Sequence, residues 1–357
     1  MSLADELKLL FERAKEDLRD ALSSDPTSVD LYRRLMHVAE WNEDEYTLLA
    51  SMGVLCFLNA ADAQDRDLYR RRIAKVAFEP KHQLGAQAWR EALVESGAKN
   101  AYGEIWAVIA ECVPKLFEDR VPGDVAVFGA TRGDRVDRKA GGPVSNTLDR
   151  VASAFGLGDF DIYLSSAKPD VVGGVAIENA ALVVGHAVVT NLDAGRRFQV
   201  GRTMSLLRDR AFALEILTVD ELELLFSAAI FSAEPGASFA LSRPQVEAES
   251  RRLAKVLPRK ARRTLPLAVA RFMQEGGDLR AWIDGVLATA NRAGLLVCGD
   301  ILAAMEQLVP ALRDSATRAG KSPQEIAELV SRVPQAAPLL VYSVGGSYLR
   351  LRKELAL

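Results

Sequence analysis

A mainly α-helical protein with one small β-sheet, an α+β class, is the fold this chain predicts. Three observations point to it. Apolar residues recur at helical spacing through most of the 357 residues, the pattern of amphipathic helices. Three short β-prone runs, 161–165, 174–177 and 181–185, cluster near the middle. Hydrophobic content of 49% and charged content of 26% are those of an ordinary globular chain, and the length suits two domains or three.

From the N-terminus, 3–117 reads as helical. Leu7, Leu10, Phe11, Ala14, Leu18, Ala21 and Leu22 fall at helical spacing. Ser24-Asp25-Pro26-Thr27 ends that helix and starts another, since proline suits a first helical turn and Asp and Thr suit caps. Val29, Leu31, Tyr32, Leu35 and Val38 mark the second helix, and 43–58 a third. Two amphipathic helices around an Asp-Pro-Thr turn resemble a tetratricopeptide-type hairpin. Such repeats stack to bury their faces; no clean second copy occurs at that period, and a plain helical layer fits equally. Helices follow over 85–96, with Trp89, Leu93 and Val94, and over 102–117, with Ile105, Trp106, Ile109, Cys112 and Leu116.

The stretch 119–144 carries Arg132-Gly133-Asp134-Arg135 and Ala140-Gly141-Gly142-Pro143. It lacks apolar periodicity and reads as a linker or loop. No lysine–serine pair follows its glycines, so they do not form a phosphate loop. A helix over 146–155 leads into the three strands. Helices are then expected over 196–210, 219–231, 243–256, 259–274, 279–293, 300–313, 322–333 and 337–353. Gly345-Gly346 marks a kink or close packing in the last. The division is helical hairpins over 1–118, a linker over 119–144 and a second domain over 145–357.

Bulk properties exclude several function classes. A net charge of −3 provides no basic field for nucleic acid or acidic lipid. Arg70-Arg71-Arg72, Arg251-Arg252 and the cluster of Arg259, Lys260, Arg262 and Arg263 read as solvated helix faces. Cys56, Cys112 and Cys298 are scattered in apolar runs without a C-x-x-C pair, as buried free thiols are. They suit a reducing cytoplasm. The start is charged at Asp5 and Glu6, unlike a secretory signal, and no apolar run is long enough to span a membrane.

The most informative stretch is Phe198-Gln199-Val200-Gly201-Arg202-Thr203-Met204-Ser205-Leu206-Leu207. With the three strands before it, it resembles the active-site region of the CAAX-prenyl-protease-type zinc metallopeptidases, which are gluzincins. The resemblance covers 146–312. In that family the strands lead to H-E-x-x-H, where two imidazoles at i and i+4 share one zinc ion and the glutamate takes a proton from the metal-bound water. Here Arg202 and Leu206 stand at the histidine positions and Thr203 at the glutamate position. Arginine stays protonated and leucine has no donor atom, so neither ligates zinc. The family's third ligand, a glutamate four residues before an aspartate, aligns with Leu287 and Asn291. His37, His82 and His186 lie far apart, and no H-E-x-x-H or H-x-x-E-H occurs.

The resemblance therefore implies a degenerate, zincin-like domain without metal, cofactor or catalysis. Family members carrying tetratricopeptide repeats work on protein partners, so it also implies a protein-binding scaffold. The retired substrate cleft would lie beside the strand at 181–184, ready for an extended peptide to add to it. Arg202 points either to the former metal centre, within reach of Thr203, Asn291 or Asp284, or to the helix surface. His186 reads as an ordinary hydrogen-bonded histidine, and Glu221 and Glu223 fall on different helix faces. Two alternatives stand beside the scaffold: an enzyme of unrecognised chemistry, and a structural subunit of a larger assembly.

Overall fold

The computed structural model describes residues 3–176 and 180–357. It is mainly helical with one three-stranded mixed sheet, the predicted class. In chain order come α1 (Leu3–Ser24), α2 (Val29–Trp41), α3 (Glu45–Phe57), α4 (Ala63–Ile73) and the short α5 (Ala86–Ala88), which widens into a π-turn over Trp89–Leu93. Next are α6 (Tyr102–Ile109), α7 (Val113–Leu116) and α8 (Pro143–Ala154), then β1 (Phe160–Ser165), β2 (Val172–Ala176) and β3 (Ala180–Gly185). Ile177, expected to end the second strand, lies outside the described residues. The remaining helices are α9 (His186–Thr190), α10 (Ala194–Arg208), α11 (Val219–Ala233), α12 (Arg243–Val256), α13 (Arg259–Glu275), α14 (Leu279–Cys298), α15 (Ile301–Leu308), α16 (Ser315–Ala319), α17 (Pro323–Ser331), α18 (Ala336–Val344) and α19 (Gly346–Glu354).

Two compact units interleave along the chain. Unit 1 combines the chain up to Leu93 with Leu192–Arg202 and Asn291–Leu357; unit 2 is Val94–Asn191 with Thr203–Ala290. The breaks at 202/203 and 290/291 fall inside α10 and α14. This division differs from the linear one at 118 and 144. A continuous helix carries no change of composition where it leaves one core for another.

In unit 1 the first helices fold back on one another through short turns. The second helix starts at Val29 with Ser28 as N-cap, two residues beyond Pro26, whose carbonyl instead accepts from Tyr32 Oη at 3.1 Å. Asp44 caps α3 by accepting from the Thr47 amide, and Asp62 caps α4 by accepting from Asp65. Each such cap stabilises its helix by about 1 kcal/mol. Leu22, Tyr32, Leu35, Met52, Leu55 and Phe57 form the dry interior of the hairpins. Lys15 is buried with them, and its Nζ reaches Asp44 at 2.6 Å and Glu12 at 2.8 Å. Near the C-terminus Gly345 does not kink one long helix; it ends α18 and caps α19.

In unit 2 the sheet order is β1-β3-β2. β3 runs parallel to β1 and antiparallel to β2, pairing Ile162 with Leu182 and Gly174 with Leu182. A Cβ on Gly173 would lie 2.4 Å from the Phe128 ring, and one on Gly174 would lie 2.0 Å from Phe212. The two glycines thus admit one aromatic ring on each face of β2. The stretch expected as a linker is tied to this sheet. Val136 N donates to Ile162 O at 2.8 Å, Arg135 pairs with Asp161 at 2.6 Å, and Arg138 reaches Asp149 and the Phe160 carbonyl. The helical core of the unit centres on Trp106, Phe226 and Trp282. Phe226 meets Trp282 edge-on at 5.4 Å, a geometry worth roughly 0.5–1.5 kcal/mol beyond burial.

Candidate functional site

The residues expected at the retired metal site fall into two groups. In unit 1, α10 and α14 approach closely because two glycines meet the opposing backbone. A Cβ on Gly201 would lie 2.9 Å from Ala293 O, and one on Gly294 would lie 2.7 Å from Phe198 O. This contact brings Arg202 beside Asn291, and Arg202 Nε donates to Asn291 Oδ1 at 2.7 Å. Asn291 is 1% exposed, and its Nδ2 has no hydrogen-bond partner among the described residues. Arg202 itself is half-buried.

In unit 2, Leu206 is buried in the aromatic core and Leu287 packs against the same cluster, partly buried. Thr203 is buried. Leucines at these two positions fill apolar space around Trp106 and Phe226. The three histidines are exposed, and His186 begins α9, where its carbonyl accepts from Thr190 Oγ1. Among the described residues no three His, Cys, Asp or Glu side chains gather as a metal site.

One expectation is overturned. β3 was to offer its edge to an added strand, but β1 and β2 occupy both of its edges. Its backbone ladder is complete, so a peptide cannot pair with it. Sequence order hid this: β3 is the last strand in the chain but the central one in the sheet.

Sequence reasoning also missed a concavity in unit 1. A cavity of about 570 Å³ is walled by α3, α4, the segment after α4, the start of α15, and α18–α19. Behind the Tyr69 ring that lines it lies a tightly bonded polar pair. Tyr69 Oη donates to Asp300 Oδ1 at 2.6 Å, and Asp300 caps α15 through the Ala303 amide at 3.0 Å. Burial pushes the Asp300 carboxyl up, against the hydrogen bonds from Tyr69 and the α15 amides and the charge of Arg197. Burial, reinforced by Asp300, also raises the Tyr69 phenol well above its ordinary value. Burial takes the Tyr348 phenol up to about 12 against the pull of Arg352.

Arg352 is 2% exposed, and its Nη1 and Nη2 donate to Leu296 O at 3.0 Å and Ala77 O at 2.9 Å. Gly299, at φ 72°, leaves space for this guanidinium; a Cβ there would lie 2.7 Å from Nη1. At the mouth, Arg72 pairs with Glu45 at 2.7 Å. The signal available in the sequence was Arg70-Arg71-Arg72. Arg70 and Arg71 are exposed, as a solvated face predicts, while Arg72 turns to line the cavity.

No helix among the described residues is long and apolar enough to cross a membrane. Comparisons of the chain with protein-family models, with curated proteins and with solved structures found no match.

Proposed function

We propose that the chain is a non-catalytic scaffold, a pseudopeptidase that binds a protein partner through its N-terminal helices. The observation that carries this reading is the group of bare apolar side chains at one end of the first hairpin. Leu9 and Leu10 on α1 are each 62% exposed, and Trp41 at the end of α2 is 70% exposed. Asn42 Nδ2 donates to Glu12 Oε1 at 3.0 Å, which sets the end of α2 level with this part of α1. Large apolar residues exposed together mark interaction surfaces, and tryptophan is a frequent anchor in them. Asp5, Glu6, Lys8 and Arg13 lie along the same part of α1, so the fitting partner offers an apolar pocket with a polar rim of both signs.

The non-catalytic half is supported by residue chemistry. Arg202 and Leu206 supply no lone pair to a metal, and Arg202 is bonded to Asn291. The free cysteines favour a cytoplasmic setting; burial takes the thiols of Cys56 and Cys112 up to about 11, so they stay protonated.

A photo-crosslinking residue at position 41 tests the scaffold in the native cell. One discrete protein adduct, lost when Leu9 and Leu10 are both replaced by Asp, is expected. No adduct, or one unaffected by those changes, would overturn the partner surface. Elemental analysis of purified protein tests the other half: one zinc per chain would refute it.

A further inference from the structure

We infer that the unit 1 cavity binds an amphipathic anion, a molecule with an apolar body and a single carboxylate or phosphate head. This is independent of the protein-partner reading, since the cavity lining includes none of Leu9, Leu10 and Trp41. Its volume of about 570 Å³ lies within the range of small-molecule sites, roughly 300–1,000 Å³. Leu49, Ala50, Val76 and Ile301 make the wall apolar, and the Tyr46 and Tyr348 rings extend it. Tyr69 already donates to Asp300, so it presents its ring rather than a free hydroxyl. The interior therefore suits an alkyl or aromatic body.

The charges set the sign of the head group. Arg72, Lys75 and Arg352 line the cavity against one acidic side chain, Glu45. Glu45 is paired with Arg72. The two bonded nitrogens of Arg352 face main-chain carbonyls, which take up two of its five N–H hydrogens without cancelling its charge. A buried cation of this kind favours an anion nearby. Lys75 is exposed at the rim, and its ammonium can follow a head group as a mobile point charge. A neutral head would forgo this attraction, and a cationic head would be repelled.

The test uses the full chain and four probes sharing one dodecyl tail: dodecanoate, dodecyl phosphate, dodecanol and dodecyltrimethylammonium. Each is titrated calorimetrically below its micellar concentration or, for the alcohol, below its solubility limit. At least one of the two anions should bind at one per chain, with the alcohol and the ammonium weaker by at least about tenfold, or 1.4 kcal/mol. Preference for dodecanoate or for dodecyl phosphate tells a carboxylate ligand from a phosphate one. Lys75→Glu lies on the surface and should fold normally; it should weaken the anion by about tenfold and leave the alcohol unchanged. Ala50→Trp should fill the cavity and abolish binding, with an unchanged circular dichroism spectrum. Equal affinity for all four probes, no anion binding, or an unaltered anion affinity in Lys75→Glu would overturn the assignment.

Discussion

Two places in unit 1 hold an arginine between helices, and they do so in opposite ways. At the crossing of α10 and α14, Gly201 and Gly294 let the helices touch, and Arg202 is held by Asn291. Around Arg352 the elements stand apart, a cavity remains, and the guanidinium is held by the carbonyls of Leu296 and Ala77. The difference teaches where binding is to be sought. Glycines that draw backbones together leave no room for a ligand, while a buried charge beside retained volume keeps the means to hold one.

The comparison breaks most visibly at Arg352. Arg352→Met removes the charged donor of the buried Leu296 carbonyl, roughly 1–3 kcal/mol to leave unpaired, and of the more open Ala77 carbonyl. A loss of about 2–5 kcal/mol should appear as a lower urea midpoint; a change under about 0.5 kcal/mol would mean that water replaces the guanidinium. At the closed crossing, Gly294→Ala places a methyl against Phe198. Overpacking of this kind costs roughly 1–3 kcal/mol, and the same denaturation curves would expose an unstrained crossing as no shift.

Asn291→Ala should cost less, about 1 kcal/mol. It deletes the acceptor of Arg202 but also a buried amide nitrogen that has no partner among the described residues. A double-mutant cycle with Arg202→Ala isolates the pair, and zero coupling would show that the bond contributes nothing.

The smallest effect sharpens the contrast between the polar pair behind the cavity and the N-terminal hairpin through pH. The folded Asp300 carboxyl is raised above its ordinary 3.8. Its contribution is therefore complete below about 3.8 and is lost as pH rises through the folded value. Asp44 has the opposite sign. Burial pushes it up, but hydrogen bonds from Lys15 and Thr47 outweigh that and hold it below 3.8. Its contribution is present above 3.8 and is lost as pH falls through the folded value. Asp300→Asn should flatten the decline of stability above pH 4, and Asp44→Asn should flatten the acid limb. Urea midpoints between pH 2.5 and 8 would read both slopes, and parallel curves for the two variants would contradict the assignment.

Much of the secondary structure was legible because period and punctuation are local. The run over 243–256 returned as α12 with the same limits, and the three β-prone runs became the three strands. The polar helix α4, Ala-Gln-Asp-Arg-Asp-Leu-Tyr-Arg-Arg-Arg-Ile, falls in a stretch read as helical without limits of its own, its three arginines marking a helix face. Its apolar stripe is little more than Tyr69 and Leu68, and its caps and tertiary contacts hold it instead. Lys15 falls on the inner side of α1 because Asp44 waits there, while Leu7 and Leu10 of the same periodic stripe are left bare. Periodicity marks a face; only neighbours decide whether that face is covered.

By itself the sequence determined the class, the positions of most helices and strands, and the absence of metal-ligating atoms at Arg202 and Leu206. Those properties follow from local spacing and side-chain chemistry. Tertiary structure alone decided that β3 lies centrally, that Asn291 accepts from Arg202, and that Arg72, Lys75 and Arg352 face one cavity. Each of these joins residues far apart in the chain, and such pairings are set by which surfaces pack together, a property that no single segment carries.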